Sequence, residues 1–171
     1  LARRDEGQTA LIAYSGDAHL VSPLTDDAKT IAALVPSLSP EIMPSIGSNA
    51  TAAFLLAETI LKTTPDKARV VWFTDEVLNR DKADVSRIVS ASGAELVIIG
   101  IGTATGGPIP LPNGKFLKNA RGTIATAKLE SSTLRSLATR SGGTYLNMRD
   151  DNSDIALALK TTATSELSLT S

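Results

Sequence analysis

The chain has 171 residues, 42% of them hydrophobic and 20% charged, with a formal net charge of −1. This near-neutral balance gives no electrostatic reason to expect nucleic acid or another polyanion as a partner, and the length favours one domain with a proper core. It has no cysteine and a single histidine, His19, which excludes disulfides and thiolate metal sites and leaves little room for zinc.

From the N-terminal side, "QTALIAY" at 8–14 reads as a strand, and Ser15, Gly16 and Asp17 supply turn chemistry before a second run, "AHLV". A hairpin is expected. Thr25 is placed to cap a helix whose first turn holds Asp26 and Asp27 and whose apolar face is Ile31, Leu34 and Val35. After the loop "PEIMPSIGSN", residues Ala53, Phe54, Leu56, Ala57, Ile60 and Leu61 mark a wide apolar stripe, so a largely buried helix is expected from Asn49 to about Thr63. Residues 69–74, which contain the apolar run of "VVWFTDE", read as a strand buried on both faces, with Asp75 directly behind it.

A helix follows over 82–92, with Val85, Ile88 and Val89 inward and Gly93 where a left-handed cap belongs. "AELVIIGIG" is a second two-sided strand. Residues 102–128 form a long Gly/Pro-rich insertion with an expected hairpin in which "KFLK" and "TIAT" flank "NARG". Ser131 or Ser132 opens a helix that Gly142 ends, "GTYLNM" is a short strand, and a last helix is expected over 153–165. The strand–helix alternation predicts an α/β fold: a doubly wound, mainly parallel sheet with helices on both faces. In such a sheet, sites lie beyond the carboxyl ends of the strands, and Asp75 is at such an end.

No apolar run approaches the ~20 residues a membrane span needs. The chain begins at Leu1 and is strand-like by Thr9, which suggests a piece cut from something larger. "GIGTATGG" follows a strand but opens onto "PIPLP" instead of a helix, so it is no phosphate cradle; "PIPLP" itself reads as a rigid loop. His19 reads as a structural surface residue. With no histidine base near a serine or threonine, hydrolytic triad chemistry is unsupported. "RDDNSD" at 149–154 lacks the glycine of a calcium loop and reads as helix capping. Ser48, behind Gly47, and Asp75 could be an N-cap and a loop cap. From the residues alone that is the favoured reading; the other is that they are oxygen ligands of a hard divalent cation.

The blocks "SGDAHLVSPLTDD", "IGSNATAAFLLAETIL", "VVWFTDE", "GGPIPLP" and "ATRSGGTYLNM" resemble the von Willebrand factor type A domain, in the branch found in bacterial aerotolerance-operon-type membrane proteins. The resemblance implies a Rossmann-like sheet with an antiparallel edge strand at "AHLV". It also implies a metal-ion-dependent adhesion site (MIDAS), in which Ser48 and Asp75 fall on two ligand positions for magnesium or manganese. The Asp-x-Ser-x-Ser loop and the first, central strand of that family lie outside this sequence. The site is therefore expected to be incomplete, and the unpaired sheet edges to favour a homodimer or strand exchange.

What this implies for function is a non-enzymatic protein-interaction domain of a bacterial inner-membrane protein. Its soluble part would be periplasmic, and a carboxylate from the partner could complete the metal site. The alternatives are a metal-free structural or assembly domain with a vestigial site, and an enzyme of phosphoryl transfer built on Asp75.

Overall fold

The computed structural model describes residues 7–39, 42–64, 68–111, 114–118 and 121–148. Strand β1 (Thr9–Tyr14) pairs antiparallel with β2 (Ala18–Thr25) through the turn at Ser15, Gly16 and Asp17. The second strand thus runs four residues past the expected "AHLV". Helix α1 (Ala28–Leu34) starts two residues later than Thr25 would allow: its cap is Asp27, whose Oδ1 accepts the amides of Lys29 and Thr30. Thr25 Oγ1 instead accepts the Asp27 amide at 3.1 Å, closing the turn before the cap. A carboxylate aimed at two free amides outcompetes a hydroxyl at that position.

Helix α2 (Ala50–Leu61) is capped by Asn49. Only Ala50, Ala53 and Phe54 of it are fully buried, so it is less enclosed than its apolar composition predicts. Strand β3 (Arg69–Thr74), helix α3 (Lys82–Ser92) and strand β4 (Glu95–Gly100) follow as expected. Gly93 ends α3 in the left-handed region at φ 66°, a conformation that glycine adopts without steric cost. The insertion contributes two short strands, β5 (Gly107–Pro108) and β6 (Thr126–Ala127), before helix α4 (Ser131–Arg140) and strand β7 (Thr144–Asn147). The helix expected over 153–165 and the 149–154 segment lie outside the described residues.

The parallel part of the sheet has the order β3-β4-β7, with Arg69 opposite Glu95 and Val97 opposite Thr144. Arg69 and Glu95 form an ion pair, Nη2 to Oε2 at 2.7 Å, that fastens the starts of β3 and β4. Trp72, Leu96, Ile98 and Tyr145 point to one face of this sheet, where Phe54 of α2, Val85, Ile88 and Val89 of α3, and Leu134 and Leu137 of α4 close over them. Val97 and Ile99, with Val71 and Leu146, form a second cluster on the other face. Strand β4 is therefore buried on both sides, the reason its sequence is apolar without alternation. Strand β3 is not covered so evenly, since Phe73 is 46% exposed.

Among the described residues no backbone pairing joins the β1–β2 hairpin to the β3-β4-β7 sheet. Side chains join them instead. Tyr14, the last residue of β1, accepts a hydrogen bond from Trp72 Nε1 at 2.9 Å and donates to Thr74 Oγ1 at 3.2 Å. Thr74 in turn donates to the Glu76 carbonyl at 2.7 Å.

Candidate functional site

Three loops meet at the carboxyl ends of β1 and β3. The first is the turn 15–17. The second, 42–49, runs into α2, and it is latched to the first by backbone: Gly16 donates to the Ser45 carbonyl at 3.0 Å and Asn49 to the Ser15 carbonyl at 2.7 Å. Ser15 Oγ also donates to the Ser45 carbonyl, and Asn49 Nδ2 to the Gly16 carbonyl at 3.1 Å. The loops lie so close that a Cβ on Gly16 would sit 2.8 Å from the Ile46 carbonyl oxygen. Gly47, at φ 148°, makes the turn that places Ser48.

The third loop follows β3 and carries Asp75 and Glu76. Its far end is tied once to the second loop and once to the first turn of α2. Arg80 Nη2 donates to the Ser48 carbonyl at 3.3 Å, and Thr51 Oγ1 donates to Asp81 Oδ1 at 2.8 Å. Asp81 is only 3% exposed, and its Oδ2 is buried without a hydrogen-bond partner. Nothing in the sequence marked as site-supporting either Asp81, just ahead of the helix expected over 82–92, or Tyr14, at the end of the strand "QTALIAY". Both matter because of partners 30 and 58 positions away.

Ser48 and Asp75 thus stand on neighbouring loops at one end of the sheet. Ser48 does not cap α2, because Asn49 Oδ1 accepts the Ala52 amide at 3.1 Å, and the hydroxyl of the partly buried Ser48 is not engaged by the helix. Asp75 receives the Glu130 amide on its carbonyl at 2.8 Å, which joins the strand end to the base of the insertion. The surroundings are acidic. The Glu76 carboxyl is pushed above the ordinary glutamate value by burial first, then by the negative charges of Asp75 and Glu130. The Tyr14 hydroxyl is pushed up chiefly by burial, although its bonds to Thr74 and Trp72 act the other way.

Does this set fit magnesium or manganese? Hard divalent cations of this size take about six oxygens in octahedral geometry. The described residues offer the Ser48 hydroxyl and the Asp75 carboxylate, while Ser15 Oγ and Thr74 Oγ1 are committed to backbone carbonyls. Among the described residues no group of three or more His, Asp or Glu could hold a metal ion. Two ligands are too few, so these residues alone do not make a metal centre.

His19 sits 3.1 Å from Asp17, Nε2 to Oδ2, a pair two residues apart on the turn and the start of β2. Ser45 Oγ donates to the same Asp17 oxygen at 3.3 Å, making this cluster part of the latch between the first two loops.

Parallel strands under helices with an antiparallel hairpin packed beside them define the class: the protein has the von Willebrand factor type A domain fold, which it shares with solved structures. Residues 1–77 match the family model of the von Willebrand factor type A domain. An aerotolerance-related membrane protein from Bacteroides fragilis NCTC 9343, whose crystal structure carries multiple mutations to serines, superposes with a TM-score of 0.82 at 23% identity, over 92% of this chain and 80% of that one. The conserved hypothetical protein BatB from Bacteroides thetaiotaomicron gives a TM-score of 0.80 at 21% identity, over 91% of this chain and 78% of its own. The first of these is described in the terms of the branch that the sequence resembles, and at these identities the likeness is one of fold. No curated protein matches the chain.

Proposed function

We propose that this chain is a non-enzymatic protein-interaction domain of a bacterial cell-envelope protein, and that it binds its partner with the three-loop surface around Ser48 and Asp75. The observation that carries this reading is the form of the second loop. Ile46 stands fully exposed at its tip and Ile42 more than half exposed, while hydrogen bonds to the first loop hold the backbone beneath them rigid. A bare aliphatic side chain on a braced tip, beside an unengaged hydroxyl and a carboxylate, is suited to a hot spot with a polar rim. Magnesium or manganese enters only when further oxygens come from outside the described residues, a partner's carboxylate among them. The cell-envelope setting draws support from the membrane protein with which the fold is shared. Among the described residues no helix is long and apolar enough to cross a membrane, and we place this domain in the periplasm.

The deciding experiment is site-specific photocrosslinking in cells. A photoreactive residue at position 46 is expected to give a discrete protein adduct that Asp75→Ala removes, whereas the same probe at Arg87, on the exposed side of α3, gives none. Equal adducts from both positions, or adducts indifferent to Asp75, would sink the assignment. Persistence of the adduct in Asp75→Ala would favour the metal-free assembly domain, in which contacts come from edge strand and hairpin. Turnover of a phosphate ester that is lost in the same variant would instead promote an enzyme.

A further inference from the structure

The insertion between Thr103 and Leu129 contains Lys115, Lys118, Arg121 and Lys128 and no acidic residue. Its charge of +4 leaves 13 of the chain's 17 basic residues to face all 18 acidic ones. The cations are therefore segregated into one element. They are also displayed, since all four residues are exposed.

That element is not a loose loop. Leu117 donates to the Ile109 carbonyl at 2.9 Å, Ala125 to the Leu117 carbonyl at 2.7 Å, and Ile109 to the Ala125 carbonyl at 3.3 Å. Three segments thus pair with one another in a closed set. Pro110 lies opposite Phe116 and Lys118 opposite Ile124. Because side chains alternate along a strand and directly opposed residues share a face, Pro110, Phe116, Lys118 and Ile124 point the same way. Phe116 is 44% exposed and Ile124 51%. The root is equally fixed, by Leu129 donating to the Thr103 carbonyl at 3.0 Å and Glu130 to that of Asp75 at 2.8 Å.

An aromatic and an aliphatic side chain on one face, amid cations and without a single acid, have a natural counterpart. We infer that this face docks on an anionic lipid surface, with Phe116 and Ile124 entering the headgroup boundary while the lysines and arginine remain among the phosphates. Long basic side chains can do this because their stems lie along apolar surface while the charge stays in the wet layer. Each basic residue near such a surface strengthens attraction by about fivefold, so four make a substantial electrostatic contribution and two apolar side chains supply the anchor. An acidic protein would satisfy the same charges, and it is the alternative that the test below separates from a lipid surface. With the root tied to Asp75, docking also brings the three-loop surface close to the bilayer.

The test is cosedimentation of the 171-residue chain with phosphatidylcholine vesicles, with and without phosphatidylglycerol. Binding is expected only with phosphatidylglycerol, and it should fall steeply at high salt. Phe116→Ser with Ile124→Ser should weaken it at least tenfold, as should Lys118→Glu with Lys128→Glu. Hydrogen exchange of the unaltered protein gives an independent reading: slowing at 115–118 and 121–125 on adding the anionic vesicles supports the inference. Binding that ignores lipid charge, or is unchanged in either double variant, overturns it. So does equal, Phe116-dependent binding to immobilised polyglutamate, which would assign the face to an acidic protein.

Discussion

The Tyr14 hydroxyl accepts the Trp72 indole N–H at 2.9 Å and so joins two sheets that share no backbone hydrogen bond among the described residues. Tyr14→Phe leaves the buried Trp72 donor without its partner. The loss should be about 1–3 kcal/mol in denaturant unfolding. The raised Tyr14 value adds a pH signature. The hydroxyl contributes stability that is whole below the ordinary tyrosine value of 10.0 and is lost as pH rises through its raised folded value. The gap between wild type and Tyr14→Phe should therefore narrow in alkali. A gap independent of pH would mean that burial does not govern this group.

Glu76 gives a second linkage experiment. Its folded value lies above the ordinary 4.5, with burial the largest cause, so the fold favours the protonated acid. Its contribution is intact below 4.5 and is lost as pH rises through the raised folded value. Glu76→Gln should match wild type in acid and exceed it at neutral pH, read as the denaturation midpoint across pH. Equal midpoints throughout would show that neither burial nor the charges of Asp75 and Glu130 burden this group.

Asn49 has two separable roles. Its oxygen caps α2 through the Ala52 amide, and its Nδ2 donates to the Gly16 carbonyl. Asn49→Ala should cost about 1–2 kcal/mol. Asn49→Asp keeps the cap and turns the other contact into repulsion against a carbonyl, so it should fall between. If Asn49→Asp equals wild type, the bond to Gly16 contributes nothing.

The latch between the first two loops is steric as well as polar. Gly16→Ala would put a Cβ 2.9 Å from Ser45 Cβ and 2.8 Å from the Ile46 carbonyl oxygen, and the backbone oxygen cannot swing aside as a flexible side chain would. Destabilisation of about 1–3 kcal/mol is expected, with chemical-shift changes through residues 45–49. A silent substitution would show that this loop is mobile in solution.

Strands β1 and β3 each have one unpaired edge among the described residues, and such edges recruit strands. Self-association is expected: light scattering should give a mass above the monomer at high concentration, and β3 amide protection should rise with concentration. A monomer with concentration-independent exchange would end that expectation. Calorimetric titration of magnesium into the same chain should show no tight binding, given only two oxygens from Ser48 and Asp75; tight binding lost in Asp75→Ala would mean that a complete metal site exists after all.

Much of this was legible from local pattern. The apolar periods placed α3, α4, β3, β4 and β7, and the run 95–100 announced its two-sided burial because a strand between two covered faces has no position where polarity is free. The same rule overreached at Phe73, which the tertiary structure leaves half exposed. Local competition decided the start of α1: Thr25 and Asp27 are both cap residues, and only the backbone path shows that Asp27 reaches the free amides.

By itself, then, the sequence determined the α/β class, the parallel order implied by strand–helix alternation, and the position of Asp75 at a strand's carboxyl end, because hydrophobic period and turn chemistry act over a few neighbouring residues. What only the tertiary structure decided are the relations across long separations. They include the Tyr14–Trp72 bridge, the buried Asp81 under Thr51, the latch from Gly16 to Ser45, and the common face of Phe116 and Ile124. Those contacts depend on how elements pack, and packing is a property of the whole chain that no window of sequence contains.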